Sequence, residues 1–261
     1  MTARAALGFL LACAISYAAV RSRALTRDGA VAAVVVGTIC VAAGWSWAGL
    51  LVLFFVTSSA LSRVRAAARE RLTESIVSRG GARDAHQVFA NGAVFTIAAL
   101  TSILVPWSGW LFVGAGAIAA ATADTWSSEV GTLSSTSPRL ITSWRSVPAG
   151  TSGAVTPLGL VASLAGALCI AVAVIAFRWP SGAAIAAVAG GVAGSLADSL
   201  TGALWQARRH CPSCALDTER RIHLCGTTTR LTGGISWLDN DAVNLLGSAA
   251  GAAVGLLAFI A

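Results

Sequence analysis

Six stretches with no Asp, Glu, Lys or Arg decide what this chain can fold into: residues 5–20, 29–62, 87–123, 146–177, 179–197 and 242–261. A helix needs about 20 apolar residues to cross the hydrocarbon layer of a bilayer. Each stretch therefore supplies a span, and the two longest supply two spans each. Their split points are Gly44-Trp45-Ser46-Trp47 and Pro106-Trp107-Ser108-Gly109, because Trp favours the membrane interface and Pro and Gly suit tight turns. The expected fold class is all-α, a polytopic transmembrane helix bundle of about eight spans forming a single integral-membrane domain over residues 1–261. Composition agrees: 56% of residues are hydrophobic and 11% charged, and the mean hydropathy is +0.76, which excludes a soluble domain with a solvated skin. The first span, behind Arg4, also has the form of a secretory signal. A short charged loop and another span follow at once, which favours a retained helix; the sequence leaves its cleavage open.

All 18 basic residues are arginine, and their placement alternates along the chain. Arg21, Arg23 and Arg27 follow span one, and six more from Arg63 to Arg83 follow span three. Arg139 and Arg145 follow span five, and Arg208, Arg209, Arg220, Arg221 and Arg230 follow span seven; the other connections hold only Arg178. By the positive-inside rule the arginine-rich loops are cytoplasmic and both termini lie outside, in an inner or plasma membrane, with Arg4 in minor conflict. The net charge of +7 is thus a topology signal, suited to anionic lipid and not a nucleic-acid signature. Every acidic residue falls on that same side, so the chemistry is expected at the cytoplasmic face.

Asp124 ends span five in "TADTWSSEVG" and Asp198 lies near the inner end of span seven in "LADSLTGA". Carboxylates inside a span are costly and usually pair, bind ions or line a wet cavity. The two segments resemble each other, a weak internal repeat that sets two Asp sites side by side. Asp124, Ser128 and Gly131 share one helical stripe. Glu129 falls off it, so a helix break over residues 127–131 is expected to turn Glu129 back. Asp124 and Asp198, with nearby hydroxyls, are hard oxygen ligands suited to Mg²⁺.

Two polar loops have the composition to hold phosphates. The first offers Arg145 and then Gly150-Thr151-Ser152-Gly153 just before span six, where free N–H groups and a guanidinium form an anion cradle. The second leads through Gly233 and Gly234 to Asp239, Asn240, Asp241 and Asn244. Arg83, Gln87 and Asn91 repeat every four residues and point one way, with His86 off the line. Cys13, Cys40 and Cys169 read as packing residues. Cys211, Cys214, His223 and Cys225 lie together in the cytoplasmic loop 206–238. There a disulfide is disfavoured and four N/S ligands suit structural Zn²⁺, although the interval from Cys214 to His223 is shorter than in zinc fingers.

The pieces "RDAHQVFANG", "ADTWSSEVG", "PRLI" with "VPAGTSGAVTPLG", "GSLADSLTGA" and "GGISWLDNDAVN", in this order, resemble the integral-membrane family called domain of unknown function 92, which includes transmembrane protein 19 and plant phytyl-phosphate kinase. The resemblance is weakest before about residue 21 and across residues 63–80. It implies a membrane-embedded prenyl-phosphate kinase: transfer of a phosphoryl group from CTP, or another nucleoside triphosphate, to an isoprenoid monophosphate such as phytyl or geranylgeranyl phosphate. With that activity, Asp124 and Asp198 take the metal and Glu129 a metal or supporting role. Arg145 and the Gly150–Gly153 loop take the triphosphate, and Gln87, Asn91, Asn240, Asp241 and Asn244 wall the site. Ala154 stands where a further Gly is common in the family. The alternatives are a CTP-dependent cytidylyltransferase acting on a lipid phosphate, a lipid-phosphate or ion transporter, and a purely structural role. The oligomeric state stays open.

Overall fold

The computed structural model describes residues 2–64, 66–74, 76–77 and 81–261. Among these are eight long helices: α1 (Thr2–Arg21), α2 (Arg27–Ala43), α3 (Trp45–Arg63), α5 (Ala85–Leu104), α6 (Gly109–Gly131), α7 (Pro157–Ala176), α8 (Ser181–Trp205) and α9 (Asn240–Ile260), with a short α4 (Ala66–Thr73) between α3 and α5. Six of the long helices are long and apolar enough to cross a membrane. The other two, α2 and α6, are respectively short and polar-ended. Both expected split points hold. Gly44, at φ 158°, separates α2 from α3, and Val105 to Ser108 separate α5 from α6.

Local chemistry sets the helix starts. Thr26 Oγ1 accepts from Gly29 N at the head of α2. Asp84 and Gln87 form a reciprocal capping box on α5, Thr156 followed by Pro157 opens α7, and Asp239 caps α9. Such caps satisfy N–H groups that the first turn leaves without a carbonyl. These four N-termini lie at the same end of the bundle as the C-termini of α1, α3, α6 and α8. There the connections interlock: Thr26 N donates to the Arg83 carbonyl, Arg63 Nη2 to the Ser22 carbonyl, and Glu219 N to the Ile76 carbonyl. All four arginine-rich connections therefore meet at one end. The opposite end is aromatic, with Trp107 against Trp110 and Phe259, and Trp47 against Phe95 and Trp179.

The centre of the bundle is α6, which packs on α3, α5, α7, α8 and α9 and is buried on all sides from Gly114 to Ala123. Small residues allow this. Gly116, Gly190 and Gly251 bring the backbones of α6, α8 and α9 into direct contact, so that a Cβ on Gly116 would fall 2.1 Å from the Gly251 carbonyl oxygen. Helices in lipid gain no hydrophobic drive from one another, and close backbone approach supplies the van der Waals contact instead. By contrast α1 packs chiefly on α2 and turns Phe9, Leu10 and Tyr17 outward.

Two small sheets depart from the purely helical expectation. A two-residue pair joins β1 (Arg139–Leu140) to β2 (Ala154–Val155). In the connection between α8 and α9, β3 (Arg208–Cys211), β4 (Leu216–Thr218) and β5 (Arg230–Gly233) form an antiparallel ribbon in the order β4-β3-β5. Long polar excursions of this kind satisfy their backbone groups by pairing with themselves.

Candidate functional site

At the interlocked end the helices enclose a cavity of about 870 Å³. Asp124 from α6 and Asp198 from α8 line it as close neighbours. Their closeness follows from the glycine packing above, which sets α6 against α8 with no room for intervening side chains. No arginine among the described residues is ion-paired with either carboxyl group. Asn244 of α9, its amide oriented for bonding, donates to Asp198 Oδ1 at 3.0 Å and to the Asn240 carbonyl at 3.2 Å. Gly247, one turn further on, lets α9 approach so closely that a Cβ there would lie 3.1 Å from Asp198 Cβ.

Most of the residues singled out from the sequence line this one cavity: Asp124, Glu129, Asp198, Gln87, Asn91, Asn240, Asn244 and the loop Gly150, Thr151, Ser152 and Gly153. The stripes Arg83, Gln87, Asn91 and Asp124, Ser128, Gly131 also face it. The glycine loop is seated on α8. At Gly153, with φ +76°, a Cβ would fall 2.5 Å from Ala203 N, and one on Gly202 would fall 2.3 Å from Ser152 Oγ. The loop is thereby fixed one turn beyond Asp198.

Three expectations need correction. The break over residues 127–131 is absent: α6 runs unbroken to Gly131. Glu129 reaches the cavity from the intact helix and meets partners the spacing did not reveal, an ion pair with Arg69 of α4 and a 2.6 Å hydrogen bond from Ser62 Oγ of α3. Arg145 does not line the cavity and is exposed. The turn from Leu140 to Arg145, with Trp144 at φ 56° and Arg139 Nη1 bonded to the Trp144 carbonyl, carries it outward. Asp241, in the first turn of α9, is also outside the lining, because it sits about 100° round the helix from Asn240.

The arginines that do line the cavity come from other connections: Arg23, Arg63, Arg69, Arg83 and Arg220. Arg83 Nη1 donates to Ser59 Oγ at 3.2 Å and its guanidinium lies over Phe54 and Phe55. Burial holds the pKa of Arg83 below its ordinary value, and the nearby Glu129 carboxylate offsets part of that shift. Buried Gln206, unflagged by the sequence, links two walls: its Oε1 accepts from Ser152 Oγ at 2.5 Å and its Nε2 donates to Glu219 Oε1 at 2.7 Å. A lone glutamine after a helix carries no periodic signal. Away from the cavity, Cys211, Cys214, His223 and Cys225 are gathered with their ligand atoms within 4.8 Å of one another.

A bundle of long apolar helices that gathers polar side chains round a cavity at one end defines a polytopic integral-membrane protein. Within that class, the chain belongs to the family described as Integral membrane protein DUF92, which matches residues 10–252. It is similar to Protein PGR of Arabidopsis thaliana, 30% identical over 89% of this chain and 88% of the relative. It is also similar to an uncharacterized membrane protein of Methanocaldococcus jannaschii, 32% identical over 96% and 92%. An uncharacterized membrane protein of Synechocystis is 33% identical over 63% of this chain and 64% of its own. No solved structure matches the chain.

Proposed function

We propose that this chain is a membrane-embedded phosphotransferase that passes a phosphoryl group from CTP, or another nucleoside triphosphate, to an isoprenoid monophosphate such as phytyl or geranylgeranyl phosphate. The observation that carries the reading is the convergence, in one cavity, of a facing carboxyl pair, five arginines and a glycine loop packed on the helix that bears one of the carboxyls. In phosphoryl transfer the protein positions the reactants and neutralises spreading charge. Two acidic oxygens facing each other without an arginine partner are a donor set that fits Mg²⁺, held by Asp124 and Asp198. When bound, Mg²⁺ neutralises phosphate oxygens and aligns donor and acceptor. The N–H groups of Gly150, Ser152 and Gly153 and the arginines Arg69, Arg83 and Arg220 hold the triphosphate, while Thr151 closes the turn on the Pro148 carbonyl. Glu129 holds Arg69 in place. Asn244 and Asn240 orient the Asp198 carboxylate, and Gln87 and Asn91 form the opposite wall.

The acceptor is already an anionic nucleophile at neutral pH, so no general base is required. Its tail lies in lipid beside the outward residues of α3 and α5, Val52, Val56, Ile97 and Leu100. The arginine-rich end faces the cytoplasm, where nucleotide and Mg²⁺ are abundant, and both termini face outward. A transporter would need polar access from both ends, whereas the aromatic packing at the far end favours a cavity open to one side.

The test is product analysis. Purified protein is incubated with Mg²⁺, CTP or ATP, and phytyl, geranylgeranyl or shorter prenyl phosphates, and the products are identified by mass spectrometry. The expected products are prenyl diphosphate and nucleoside diphosphate. Release of pyrophosphate with a nucleotidylated lipid would replace the kinase by a cytidylyltransferase, and no turnover of any lipid phosphate would remove the enzymatic reading.

A further inference from the structure

We infer that Cys211, Cys214, His223 and Cys225 hold one structural zinc ion, and that this ion fixes the ribbon whose base forms one wall of the cavity. Cys211 ends β3 and is buried, and Cys214 follows in the turn into β4, where Ala215 takes φ 53°. His223 is buried, and Cys225 sits in the tight turn before Gly226, at φ 82°. Two turns on one small ribbon thus deliver four ligands to one point. Cys211 Sγ lies 3.6 Å from Cys225 Sγ, and His223 Nδ1 lies 3.3 Å from the same sulfur.

With Zn–S of about 2.3 Å and Zn–N of about 2.0 Å, a tetrahedral Cys₃His site separates sulfur from sulfur by about 3.8 Å and nitrogen from sulfur by about 3.5 Å. The two separations here are each shorter by about 0.2 Å, and the whole set lies within 4.8 Å. The three cysteines are free thiols, not joined by a disulfide. Three thiolates and an imidazole favour Zn²⁺ over hard cations such as Mg²⁺. Four protein ligands close the coordination sphere, so the ion is structural and not catalytic.

The ribbon carries this order to the cavity. Thr218 Oγ1 and Glu219 N both donate to the Ile76 carbonyl, at 3.2 and 2.8 Å, and Arg220 Nε donates to the Glu74 carbonyl at 3.2 Å. Glu219 and Arg220 line the cavity, and Glu219 accepts from Gln206, which in turn holds Ser152 of the glycine loop. A ribbon of short strands has little core of its own, and a metal cross-link supplies the stability it lacks.

The inference is independent of the proposed chemistry, because its test reads metal and local order without turnover. Full-length detergent-purified protein, free of any metal-binding tag, is subjected to elemental analysis. The expected result is about one zinc per chain, with replacement by Co²⁺ producing the visible bands of a tetrahedral thiolate site. Cys214→Ser and Cys225→Ser, at exposed positions, are each expected to lose most of the zinc, while Cys13→Ser and Cys169→Ser retain it. On zinc removal by chelator, hydrogen exchange is expected to rise across residues 206–238 while α6 and α8 stay protected. Stoichiometric iron in place of zinc, less than about 0.1 zinc per chain, or zinc content unchanged in both ligand variants would overturn the inference.

Discussion

Asp124→Asn and Asp198→Asn are each expected to lower phosphoryl transfer by about 10³-fold or more, the scale seen when one centrally placed charge-stabilising group is lost. Folding is expected to survive both changes. The two carboxyl groups share one site, and two carboxylates so placed cannot both ionise without cost. Replacing one by an amide removes that cost, and the thermal unfolding midpoint in detergent is expected to equal or exceed that of the unaltered protein without added Mg²⁺. Loss of activity with retained or raised stability is the signature of a site that trades stability for function. Full turnover in either variant would exclude that residue from the chemistry, and a lowered unfolding midpoint would assign it a structural role instead.

The second large effect is on assembly. In Gly116→Val the new side chain would start 2.1 Å from the Gly251 carbonyl oxygen, a backbone atom that cannot rotate aside. On Gly251 a Cβ would fall 2.6 Å from both Ala120 Cβ and the Gly116 oxygen. Either substitution must separate α6 from α9 and displace Asn244 from Asp198, at a cost of about 3 kcal/mol or more. Thermal unfolding of the detergent-solubilised chain checks this. Both variants are expected to unfold at much lower temperature, whereas Gly92→Ala, whose Cβ would meet Val36 at an ordinary 3.7 Å, is expected to be nearly neutral. Unchanged unfolding of the Gly116 variant would mean that the three helices do not touch as described.

The spans were legible because charge-free length is a property of the sequence alone, and the Gly44 and Pro106 breaks are backbone signals that need no partner. The central position of α6 was not legible. Its glycine and alanine run reads as only moderately apolar, and in a membrane burial follows from small size more than from hydropathy. Within the site, the facing of Asp124 and Asp198 was suggested by the similarity of their two segments, and Arg83, Gln87 and Asn91 by four-residue spacing. Glu129 was misjudged because its partners, Ser62 and Arg69, come from α3 and α4, distant in sequence. Arg145 was favoured by its closeness to the glycine loop along the chain, but a tight turn sends it outward while Arg69 and Arg220 arrive from other connections. The short Cys214 to His223 interval is accommodated because the ligands sit in turns of a ribbon that the sequence did not announce.

The central claim is that the acidic ends of α6 and α8 hold one divalent cation together. The most direct measurement is Mn²⁺ titration followed by electron paramagnetic resonance, with CTP present, on the unaltered protein, on Asp124→Asn, on Asp198→Asn and on the double variant. Mn²⁺ prefers oxygen ligands and does not compete for the cysteine cluster. One tight site is expected in the unaltered chain and its loss in each single variant, with the double variant no weaker than either. Equal Mn²⁺ binding by the unaltered chain and the double variant would contradict the account.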